Sequence, residues 1–151
     1  MARLPTFEDK SVHFTDKVIL LDVDGTLAPD RSLQFETPTL DKIKLLAATN
    51  LVYLCTNTRS TERREMLKKV LGLPVTDSRY KKPSAKVLTA LDIQKRDVVV
   101  IGDKFVTDYL LAKNIGAAFV KVQRKESGQE RYFIKLLNRF DDFLSFLFIG
   151  S

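Results

Sequence analysis

A chain of 151 residues, 44% hydrophobic and 29% charged, is long enough to bury one core and too mixed in composition to be disordered or embedded in a membrane. Its one cysteine, Cys55, excludes an internal disulfide, and one histidine, His13, leaves no His/Cys cluster for zinc or thiol chemistry. The net charge of +6 favours anionic partners: a phosphorylated substrate, an anionic membrane or nucleic acid.

In chain order, residues 1–16 read as an N-terminal extension to a single domain over 1–151. Met1 to Lys10 lacks the apolar region of a signal peptide and carries Pro5, Glu8 and Asp9, and no apolar run is long enough to span a bilayer. The expectation is an intracellular protein, soluble or peripherally bound to membrane. Val18-Ile19-Leu20-Leu21 predicts a strand buried on both faces, as in a parallel sheet. A helix is expected over Thr39 to Ala48, a second strand over Leu51 to Cys55, and a second helix over Thr61 to Leu71. Pro83 suits the first turn of a third helix running from Ser84 to Leu91. Val98 to Ile101 predicts a third strand, followed by a helix from Thr107 and a fourth strand over Ala118 to Val122. Lys125 to Glu130 reads as a loop. Arg131 to Phe148 then carries Phe133, Leu136, Leu137, Phe140, Phe143, Leu144 and Leu147 at helical spacing. That stripe is expected to pack on the sheet. Phe146, Phe148 and Ile149 widen it enough to raise membrane contact, or a second subunit, as the alternative.

The first strand ends in Asp22-Val23-Asp24-Gly25-Thr26. With period-two alternation, Asp22 and Asp24 point to the same side, at the end of a strand where open α/β sheets bind ligands. Two carboxylates are costly to bury unless a cation or a shared proton offsets their repulsion. The pair therefore points to a metal-assisted reaction with a carboxylate nucleophile, against the plainer reading of an Asp-Gly turn.

Asp-x-Asp-Gly-Thr-Leu after an apolar strand resembles motif I of the haloacid dehalogenase superfamily. The resemblance implies Asp22 as nucleophile and Asp24 as general acid/base, with its carbonyl on the metal and Thr26 orienting it. Thr56, with Asn57 beside it, stands where motif II binds the phosphoryl group. Lys82, with Lys81 as the alternative, stands where the motif III lysine holds the nucleophile and the transferred phosphate. Gly102-Asp103 with Asp108 resembles motif IV, implying Asp103 as a direct metal ligand, and Asp108 binding through water or positioning Lys82. Oxygen-only ligands (Asp22, Asp24, Asp103, Asp108) suit a hard cation that keeps several waters, hence Mg²⁺. The implied fold is a three-layer, Rossmann-like α/β domain with a mostly parallel central sheet.

The gaps between motifs, Leu27 to Asn50 and Ser60 to Tyr80, are too short for a cap domain, so the substrate itself has to cover the site. Gly-Asp-Lys-Phe-Val-Thr-Asp with Asn114 and Gly116 is similar to the YqeG-type branch, which includes phosphatidylglycerophosphate phosphatases. That branch often has Asn at the position of Gly25, and Asn-Asn where this chain has Asn57-Thr58. The resemblance implies Mg²⁺-dependent hydrolysis of phosphatidylglycerophosphate through an aspartyl-phosphate. The alternatives are another phosphoester (phosphoprotein, nucleic acid end, phosphosugar) and a non-catalytic binding module.

Overall fold

The computed structural model describes residues 3–130 and 132–149. Four parallel strands, β1 (Val18–Leu21), β2 (Leu51–Leu54), β3 (Val98–Gly102) and β4 (Ala118–Lys121), form one sheet in the order β2-β1-β3-β4. β1 is central, pairing Val18 with Leu51 on one side and with Val98 on the other. All four of its residues are fully buried, as an apolar run enclosed on both faces requires.

Alternation along the strands divides the core in two. Ile19, Leu21 and Ile101 face one cluster, closed by Ile43 and Leu46 of helix α1 (Thr37–Thr49) and Leu67 of helix α2 (Thr61–Leu71). Val18, Leu20 and Val100 face the other, closed by Val87 and by Leu111 of helix α3 (Leu110–Ile115). Helices on both faces of a parallel sheet give the three-layer α/β fold expected. Ser60 caps α2 by accepting the Arg63 N–H, and Gly72 ends it in the left-handed region, with its N–H on Lys68 O.

Three expectations change. Residues 84–91 do not form a helix: a single tight turn, Ala85–Leu88, is closed at once when the Thr89 hydroxyl and N–H both donate to Lys86 O. The helix expected from Thr107 starts earlier, as a wide turn over Phe105–Tyr109 in which Leu110 N–H reaches back to Phe105 O, and only then tightens into α3. The N-terminal extension is part of the core. Phe7 and Val12 are buried, and Pro5 O accepts the Gln123 N–H just past β4.

The last helix, α4 (Tyr132–Phe148), forms as predicted from Tyr132 onward; Arg131, where the prediction starts it, lies outside the described residues. Its orientation is the reverse of the one expected. Asp141 and Ser145 are its buried residues, whereas Phe133, Phe140 and Phe143 are 65%, 59% and 56% exposed.

Candidate active site

The parallel register brings the ends of three strands level. Leu21 lies opposite both Leu54 and Ile101, so the residues that follow, Asp22, Cys55-Thr56 and Gly102-Asp103, leave the sheet side by side. The chain turns sharply after β1: Thr26 and Leu27 both donate their N–H to Val23 O, with Gly25 at φ +83°. A side chain at Gly25 would bring its Cβ to 2.6 Å from Asp103 Oδ2, so glycine is needed there both for the turn and for the approach of that carboxylate.

Lys82 stands at the centre. Its Nζ lies 2.6 Å from Asp22 Oδ1 and 2.6 Å from Asp108 Oδ1, and all three side chains are buried. Lys81 is only half-buried, so Lys82 is the lysine of this position. The Thr26 hydroxyl is 2.8 Å from Asp22 Oδ2 and 3.0 Å from Asp103 Oδ1. It thus bridges those two carboxylates and does not reach Asp24 as expected, because the turn at Gly25 folds it back over Asp22. Asp22, Asp103 and Asp108 offer three oxygens within 4.8 Å of one another.

The charges of this cluster are unevenly held. Burial works against ionised Asp22, but the Lys82 ammonium, a hydrogen bond with Asp103 and the Lys104 charge together outweigh it and hold the carboxyl below its ordinary range. Burial pushes Asp103 up to about 8, with the Asp22 charge adding to the rise. Asp108 goes up to about 6, again by burial and then Asp22, against the pull of Lys82. Burial opposes the Lys82 charge too, yet Asp108 and Asp22 hold it well above the usual lysine range. A buried all-oxygen set that retains protons for want of positive charge fits a hard divalent cation.

Asp24 lies apart from this triad. Its Oδ1 accepts from Arg63 Nη2 at 2.6 Å and from the Arg31 N–H at 2.9 Å. Burial raises its pKa despite the Arg63 charge. Its carboxylate is not among the clustered oxygens. Thr56 is buried just beyond β2, its hydroxyl accepting the Thr58 N–H. Asn57 departs from expectation: Oδ1 accepts the Lys82 N–H at 2.8 Å and Nδ2 donates to Lys82 O at 3.0 Å. With both ends of its side chain so engaged, Asn57 sets the Lys82 backbone, and its second Nδ2 proton remains able to donate.

Arg124, which the sequence shows only as one of a basic group with Lys121 and Lys125, and Asp141, which nothing in the sequence marks, both border the site. Arg124 Nε lies 2.8 Å from Asp103 Oδ2, and its Nη1 lies 3.1 Å from Asp142 of α4. Asp141 accepts the N–H groups of Phe105 and Val106, each at 2.9 Å. Their partners are brought to them by the fold: the basic group of Lys121, Arg124 and Lys125 gives charge near the site edge, but not the pairing with Asp103.

A carboxylate at the end of the central parallel strand, a lysine bridging it to acids after the neighbouring strand, and a hydroxyl beside them define a phosphatase of the haloacid dehalogenase type. A family model described as mitochondrial PGP (phosphatidylglycerophosphate) phosphatase matches residues 1–125, and the chain belongs to that family. No curated protein and no solved structure matches it. The matched span takes in every residue of the cluster together with Arg124, and stops short of α4.

Proposed function

We propose that the protein hydrolyses the phosphomonoester of phosphatidylglycerophosphate in a Mg²⁺-dependent reaction through an aspartyl-phosphate on Asp22, within one hydrolase domain. The observation that carries this reading is the buried Lys82 ammonium 2.6 Å from both Asp22 and Asp108. Lys82 keeps Asp22 ionised and presents a fixed positive charge to an incoming phosphoryl group. An Asp22 oxygen attacks phosphorus as the bond to the glycerol oxygen breaks, and Asp24 gives its proton to that oxygen. Asp24 then takes a proton from water, which attacks phosphorus and frees Asp22 with release of phosphate. Thr56 donates to a phosphoryl oxygen. Asp22, Asp103 and the Asp24 carbonyl would hold Mg²⁺, which when bound offsets the charge building on phosphorus. Asp108 keeps Lys82 in place.

A lipid phosphate also answers the open site, because a large substrate supplies the cover that no cap provides. No helix among the described residues is long and apolar enough to cross a membrane. We propose a mitochondrial location, in keeping with the family description, with the protein meeting its lipid substrate at the membrane surface.

Asp22→Asn tests the nucleophile. Phosphate release from phosphatidylglycerophosphate should fall by roughly 10³-fold or more while the melting temperature stays near that of the parent. Undiminished Mg²⁺-dependent release from the variant would refute the assignment.

A further inference from the structure

We infer that the outward face of α4 is the seat of the protein on an anionic lipid bilayer, placed so that a headgroup phosphate at the leaflet surface meets Asp22. This rests on the lipid-phosphate reading above and deepens it. The helix is inside-out by the standards of a globular protein, whose surface helices turn their apolar stripe inward. Here the stripe through Phe133, Leu136, Phe140, Phe143 and Leu147 faces out, each of these at least half exposed.

The orientation is fixed by what α4 does with its polar side. Asp141 accepts the Phe105 and Val106 N–H groups and stands 3.5 Å from Arg124, and Ser145 is hydrogen-bonded by Lys121. Rolling the apolar stripe onto the protein would break these bonds and leave the buried Phe105 N–H without an acceptor. The exposed face is therefore a property of the fold itself. A contiguous patch of this kind marks a binding surface.

Continuity with the active site identifies the occupant. A groove of about 380 Å³ runs between Leu137 and Phe140 on α4 and Lys104 and Val106 on the loop after β3. Its wall residues Asp30, Lys104 and Asn138 also wall the cleft at Asp24 and Asp103. The apolar groove along α4 thus gives way, through these polar walls, to the cleft at the carboxylates. Charge agrees: the chain carries +6, and exposed Lys135 and Arg139 border the stripe one turn apart. In an interfacial helix such residues reach the headgroups while the apolar face sinks about 5–10 Å to the acyl boundary. The phosphomonoester of a lipid in that leaflet then sits at the mouth of the cleft without leaving the membrane.

The chain has no tryptophan, so Phe143→Trp gives a single fluorescent probe on the stripe. With vesicles of phosphatidylglycerol and phosphatidylcholine, its emission should shift to the blue and be quenched by brominated acyl chains. Without lipid it should report water. A combined Phe133→Ser, Leu136→Ser and Phe143→Ser variant should bind those vesicles at least ~tenfold more weakly. It should also lose turnover of vesicle-borne lipid phosphate and keep the parent's rate on a water-soluble aryl phosphate. Equal vesicle binding by the variant and the parent would overturn the proposal. So would a blue-shifted probe without lipid, in a dimer that the triple substitution splits, since a second copy of the chain would then own the face. Binding is read without catalysis, so vesicle binding by a protein inactive on every lipid phosphate would uphold the seat and refute only the substrate.

Discussion

With Lys82 replaced by methionine, Asp22 and Asp108 would share a buried pocket with no ammonium between them. Removing one partner of a buried ion pair costs about 3–5 kcal/mol, and losing a fixed cation at a developing charge costs about 10²–10³-fold in rate. Lys82→Met should therefore lower both the denaturant midpoint and phosphate release, measured on the same preparation. Residues of this kind were readable in the sequence, because each ends an apolar run: Asp22 after Leu21, Thr56 after Cys55, Asp103 after Gly102. Residues that act on a partner's backbone were not. Asn57 lies next to Thr56 and looks like a phosphate ligand, yet it braces Lys82, 25 residues on. Arg124 meets Asp103 across 21 residues and carries no mark beyond its charge.

At the scale of elements, Asp141 lets one helix fix the shape of another. The Phe105 and Val106 N–H groups open the wide turn before α3, and the Asp141 carboxylate takes both. Asp141→Ala would leave the buried Phe105 N–H without an acceptor, a loss of about 1–3 kcal/mol, with a smaller loss at the part-buried Val106 N–H. Hydrogen exchange should show those two amides deprotected, and phosphate release should drop, since Asp103 lies at the base of the same loop. Periodicity found α4 and misjudged its direction for one reason. Asn138, Asp141 and Ser145 repeat at helical spacing just as the phenylalanines do, and a period does not say which stripe meets the protein. Near Ser84 the pattern was helical too, but a hydroxyl at Thr89 that bonds back to Lys86 O stops the chain after one turn. β1 and β3 were legible as uninterrupted Val/Ile/Leu runs, and β2 and β4 as short apolar runs carrying Tyr53 and Phe119.

The whole molecule should answer to pH through its carboxylate cluster. Asp103 at about 8 and Asp108 at about 6 both lie above the ordinary aspartate value of 3.8. A carboxyl whose folded pKa is raised contributes its stability below the ordinary range and loses it as pH rises through the folded value. The metal-free protein should thus lose stability between about pH 4 and 8, last through Asp103. A divalent cation competes with these same protons. The rise in melting temperature produced by millimolar Mg²⁺ should therefore be larger at pH 8 than at pH 6. A rise independent of pH would place the cation elsewhere. The strand order carries a different consequence, for the history of the chain as it is made. β1 waits for β3, with Lys17 and Asp97 meeting across 80 residues, and Arg124 is later still. On the ribosome, β1 and β2 can pair early, but the other edge of β1 stays open until β3 has been synthesised. Asp22 is made before the other residues of the cluster, and it acquires its countercharge and its cleft only once Lys82, Asp108 and Arg124 have followed. A product truncated before β3 would carry Asp22 on a bare sheet edge, prone to aggregate and unable to turn over substrate.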